Sequence, residues 1–224
     1  MVNESDIVAA LDRADRALDE GRGLSGTGFW PAVTALKRSP ELAVRLADRV
    51  ASIDRRAFEE GVLLSMPLAV GTPLAILATA AGVAGVVASR YLEAPWDWLM
   101  FTAGMVALLP ATHGLAHLVV GNAVGLRFTH WFVGSVMRPQ PGVKVDYASY
   151  LRTPARQRAW MHASGALVTK VLLFALIPFA LTADLPRWFV VALVVFAAGA
   201  VVVDAAWSVR SSDWKRFRRE MSFV

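Results

Sequence analysis

Pro110-Ala111-Thr112-His113-Gly114-Leu115-Ala116-His117-Leu118-Val119-Val120-Gly121 lies inside an apolar segment, residues 96–126, that is long enough to cross a bilayer. Its two histidines are four residues apart, so on a helix both imidazoles share one face, about 6 Å from each other. That spacing suits a shared metal ion. Ligating side chains at membrane depth are costly, which makes them functional suspects. A zinc hydrolase of the His-Glu-x-x-His type also needs a glutamate as general base. Here that position is Gly114, which can move no proton. Haem is excluded on geometry, because two histidines one turn apart cannot occupy opposite axial positions of one iron.

Three further segments resemble this one in hydropathy. Together the four run over residues 62–89, 96–126, 161–183 and 187–209, each sufficient for the ~20 residues a crossing needs. The expected fold is therefore mainly α: a polytopic membrane protein with four transmembrane helices. Arginine and lysine set the orientation. The 127–160 loop carries Arg127, Arg138, Lys144, Arg152, Arg156 and Arg158, and the 210–224 tail carries Arg210, Lys215, Arg216, Arg218 and Arg219. The short turns at 90–95 and 184–187 hold one arginine each. Both termini and the long loop are expected in the cytoplasm of a multi-pass protein of the cell membrane.

Composition agrees. The chain has 224 residues, 56% of them apolar, and no cysteine. Disulfides and thiolate chemistry are thereby excluded, and any metal must be held by His, Asp, Glu or backbone oxygen. The net charge of +5 does not indicate nucleic acid. Residues 1–61 are net −2, and the excess of +7 in residues 62–224 flanks the apolar segments, where a bilayer surface is the partner. The acidic, polar start is unlike a cleavable signal peptide, and none is expected.

Residues 1–61 read as a cytoplasmic helical cap. Ile7, Leu11, Ala14 and Leu18 recur at helical spacing over 6–18, and glycines at 21, 23, 26 and 28 break the pattern. Ser39-Pro40-Glu41 opens a second helix, with Leu42, Leu46, Val50 and Ile53 on one stripe. Between the second and third crossings, residues 126–134 and 143–147 have the content of two strands around a Pro139-Gln140-Pro141-Gly142 turn. A short cytoplasmic β-hairpin is expected there. The domains are thus 1–61, 62–209 and a basic tail, 210–224.

His117 lies about nine residues, or ~14 Å, from the end of its segment. The fourth segment carries one acid, Asp204, near the same end. Two histidines and a carboxylate make a three-ligand zinc site with a fourth position open. A competing arrangement pairs Asp204 with Lys170, the only base within the third segment, and leaves the histidines to pack between helices. His130 and His162 read as surface residues near the interface. Gly121-x-x-x-Gly125 reads as a helix-packing face, and Pro110 as a kink.

The order of these parts resembles the site-2 protease family of intramembrane zinc metalloproteases. His113-Gly114-Leu115-Ala116-His117 stands where that family has its histidine motif. Val124-Gly125-Leu126-Arg127 and the hairpin follow, Ala163-Ser164-Gly165-Ala166 opens the third crossing, and Asp204 lies in the fourth. The resemblance covers about residues 98–209 and implies His113, His117 and Asp204 as zinc ligands. The sequence departs from the family in four places. Gly114 replaces the catalytic glutamate, Ala166 a proline and Ala205 a glycine, and the Asn-Pro element near the aspartate is missing. The expectation is a protease-like membrane protein without ordinary proteolysis, acting by binding another membrane protein. Two alternatives remain at this point: an active intramembrane metalloprotease with an unconventional base, and a structural subunit of a membrane complex.

Overall fold

The computed structural model describes residues 3–135, 140–206 and 212–224. They divide into two compact units. One comprises Met1–Leu68, Gly121–Arg158 and Glu220–Val224, the other Ala69–Val120 and Ala159–Arg219.

The first unit is built on three helices, α1 (Glu4–Asp19), α2 (Phe29–Leu36) and α3 (Pro40–Gly61). α3 starts as its sequence dictates, with Pro40 in the first turn, where a missing N–H costs nothing. Its apolar stripe meets those of α1 and α2 in a core that includes Ile7, Leu11, Phe29, Leu36, Val50 and Ile53, all nearly free of solvent contact. The short α6 (Tyr147–Arg152) closes this core with Ala148 and Leu151. α2 lies in a stretch where the glycines suggested only a break: Gly28 takes φ 82, and the helix starts directly after it.

Three antiparallel strands complete the unit: β1 (Leu64–Pro67), β2 (Phe128–Val133) and β3 (Pro141–Val145), in that order across the sheet. The expected hairpin is β2–β3. The third strand comes from residues assigned above to the first crossing, with Leu64 opposite Val133 and Pro67 opposite His130. Pro139 of the expected turn lies outside the described residues. Gly125 is not a packing residue: it takes φ 88 just after a helix end, where Leu126 N–H donates to Gly121 O at 2.9 Å. That is a helix-terminating role.

At the end of the chain, Glu220 is fully buried in this unit between Lys37 Nζ at 2.5 Å and Arg158 Nε at 2.8 Å. Arg158 also donates to the Thr153 carbonyl at 2.7 Å. Burial pushes the Glu220 carboxyl up, but the two cations outweigh it and hold it below its ordinary range.

The second unit holds most of four helices long and apolar enough to cross a membrane: Leu68–Tyr91, Trp96–Ala123, Ala155–Thr182 and Arg187–Asp204. They correspond to α4 (Leu68–Ala88, extended by a 3-10 turn), α5 (Trp96–Ala123), α7 (Ala155–Thr182) and α8 (Arg187–Ala206). α5 runs through Pro110 as one helix. Val106, Val119, Val171, Val191 and Val202 are exposed on these helices, as lipid-facing side chains would be. Close packing falls to Gly82 and Gly104: a Cβ on Gly104 would lie 2.7 Å from the Gly82 carbonyl oxygen, so α4 and α5 meet backbone to backbone. A last short helix, α9 (Asp213–Met221), follows in the basic tail.

Glu220→Ala would leave Lys37 and Arg158 as buried cations without their carboxylate. It is expected to destabilise the full chain by about 3–5 kcal/mol, read by denaturant unfolding. In the wild type, a carboxyl held below its unfolded value adds stability that is complete above the ordinary glutamate range. That stability drains as pH falls through the depressed value, so the deficit of Glu220→Ala should shrink in acid.

Candidate metal centre

His113 and His117 lie one turn apart on α5, and their Nε2 atoms converge at 3.1 Å. The carboxylate beside them is Asp213, from the first turn of α9: its Oδ2 is 3.0 Å from His113 Nε2 and 3.3 Å from His117 Nε2. These are the residues among those described whose ligand atoms could hold one metal ion. Of the expected set His113, His117 and Asp204, the structure brings the two histidines together, with Asp213 beside them. Asp204 instead forms an ion pair with Lys170, the competing arrangement noted above. Half-buried between helices, each of that pair offsets the cost of burying the other.

The other face of each imidazole decides what its Nε2 can be. His117 Nδ1 lies 2.8 Å from the Met161 carbonyl oxygen on α7, which only accepts, so Nδ1 carries the proton. His113 Nδ1 lies 3.0 Å from Thr169 Oγ1. That hydroxyl donates its own proton to the Gly165 carbonyl at 2.9 Å, so it accepts from His113. With both protons on Nδ1, both neutral rings present bare lone pairs at Nε2. Protein acceptors on the far nitrogen are the usual support of metal-ligating histidines.

Three lone-pair atoms 3.0–3.3 Å apart repel one another unless positive charge lies among them. The spacing matches a metal site: tetrahedral bonds of ~2.0 Å separate neighbouring ligand atoms by ~3.3 Å. The donor set, two imidazoles and a carboxylate, is one that zinc takes with a fourth position open. Asp213 is suited to the role. Its Oδ2 faces both rings, and the nearest cation on the other side is Arg216, Nη1 3.8 Å from Oδ1.

Gly165 makes room for the rings. A Cβ there would fall 2.5 Å from His117 Nε2 and 2.9 Å from His113 Cε1. Ser164, beside it, is buried and donates to the Met161 carbonyl at 2.7 Å. The Ala163-Ser164-Gly165-Ala166 stretch thus supplies the wall of the site. His162 is buried rather than at the surface, and His130 is half-buried in the first unit, its ring 6.2 Å from that of Phe58.

One signal could have found Asp213: it is the single acid in residues 205–219, a run otherwise carrying only bases. It also follows Ser212, whose hydroxyl caps the helix start by accepting from Lys215 N–H at 3.3 Å. It lies outside the apolar segments, in a basic tail where an acid reads as solvated.

Gly165→Ala forces the imidazoles apart and should cost the 1–3 kcal/mol typical of overpacking, read as a lowered thermal midpoint of the purified chain. Gly199→Ala, where nothing lies within 4 Å of an added Cβ, should be silent or slightly stabilising. Comparison of the chain with protein-family models, curated proteins and solved structures returns no match.

Proposed function

We propose that this chain is a metal-binding, non-proteolytic membrane protein of site-2 protease type, holding one zinc ion at His113, His117 and Asp213. It works by engaging another membrane protein. The observation that carries this reading is the convergence of two Nε2 atoms and a carboxylate oxygen at 3.0–3.3 Å. Each ring is held from behind, by Met161 or Thr169.

Bound there, zinc would act as a Lewis acid that polarises a carbonyl group. Residue 114 is where a protease needs its proton acceptor, and glycine has none. Asp213 cannot stand in for that base while its Oδ2 serves as a ligand. The site therefore keeps the means to bind a metal and lacks the means to hydrolyse a peptide. Charge asymmetry supports placing the termini and the 127–160 loop in the cytoplasm of a cell-membrane protein.

Three measurements test the reading. Purified protein should retain one zinc per chain. Asp213→Asn should weaken binding by more than ~100-fold, beyond what loss of an outer hydrogen bond costs, while Asp204→Asn leaves it unchanged. A chain that takes up no zinc overturns the site, as does equal damage from both substitutions. Cleavage of a helical membrane substrate should stay near background, since a general base contributes ~10²–10⁴-fold. Robust cleavage abolished by His117→Ala would replace the non-proteolytic reading with the active-enzyme one. For orientation, single cysteines placed in this cysteine-free chain should label residues 127–160 from the cytoplasmic side; labelling from outside alone would reverse the topology.

A further inference from the structure

α9 has two faces with different chemistry. Asp213, Trp214 and Phe217 are partly buried, whereas Lys215, Arg216, Arg218 and Arg219 are exposed. The inner face is anchored by aromatic contact: Phe217 stacks on Trp214 with centroids 5.1 Å apart and meets Trp160 of α7 at 5.5 Å. Trp160 sits five residues into a membrane-length helix and is half exposed, the position in which tryptophan marks the bilayer interface. A short helix pinned there, with aromatic residues inward and four bases outward, has the composition of an interfacial helix on an anionic surface.

The same helix carries the carboxylate of the metal centre. Asp213 turns Oδ2 to the histidines, and Arg216 Nη1 lies 3.8 Å from its Oδ1. Whatever fixes the outer face of α9 therefore fixes the ligand. We propose that the basic face of α9 docks on anionic phospholipid headgroups, and that this docking holds Asp213 against His113 and His117. Metal affinity then depends on lipid charge. The second half of this inference rests on the metal-binding reading above.

The test uses the full chain in nanodiscs of phosphatidylcholine alone, or with one part phosphatidylglycerol to three of phosphatidylcholine. Trypsin cuts after the four bases in question, so cleavage within α9, followed by intact mass in the presence of a chelator, reports docking without any metal. It should slow several-fold in the anionic discs. Zinc affinity, measured by chelator competition, should rise about tenfold in the same discs, the worth of one to two basic residues at an anionic surface. Combined Lys215→Gln, Arg218→Gln and Arg219→Gln should abolish both differences. Because each readout is a ratio between two bilayers for one protein, a general loss of stability cannot imitate that result. Equal trypsin rates and equal zinc affinity in both discs overturn the inference, as they would if an acidic protein segment were the true partner. Protection by anionic lipid with zinc bound in neither disc would overturn the metal reading and the coupling to it, and leave lipid docking standing.

Discussion

Two imidazole nitrogens and a carboxylate oxygen held within 3.3 Å of one another are the constraint around which the second unit is arranged. Their lone pairs repel, and partial burial thins the water that would screen them. The surroundings nonetheless enforce the arrangement. A carbonyl and a hydroxyl behind the rings set their tautomers, and a glycine across the helix gap makes room. Each is a single atom or its absence, and each lies on α7. Positive charge among the three atoms turns that repulsion into cohesion, linking α5 to α9 through the bonds it makes.

Burial among apolar helices narrows what could do this. In water, a histidine pair and an aspartate would separate and hydrate at little cost. Where hydration is poor, the choices are to neutralise, to pair or to coordinate. Lys170 and Asp204 take the second course. His113, His117 and Asp213 have the geometry for the third. The two acids differ in what faces them: a lysine, which brings its own charge, or two rings, whose protons are committed elsewhere.

The four apolar helices were legible because hydropathy over twenty residues is a local property, independent of packing. The histidine pair was legible for the same reason, since i and i+4 share a face of any helix. The strand at Leu64–Pro67 was not: its residues are as apolar as those that follow, and only pairing with β2 separates them. Asp213 was hidden by a similar ambiguity. An acid among bases in a tail looks solvated until the fold returns the tail to α5, 96 residues earlier in the chain for His117. The glycines show the same division. Gly121 and Gly125 carry a packing spacing, but Gly125 ends a helix, while Gly82 and Gly104, on different helices, make the close contact that no single-segment pattern reveals.

The distance along the chain between the histidines and Asp213 also sets an order of events. All four apolar helices are synthesised before residue 213. During synthesis the two imidazoles therefore enter the bilayer without their carboxylate, and the cluster closes only when α9 folds back after the last apolar helix. A nascent chain halted short of that point would have the membrane helices in full and a site with two ligands. Completion of the cluster is thus a record that translation has passed the final helix.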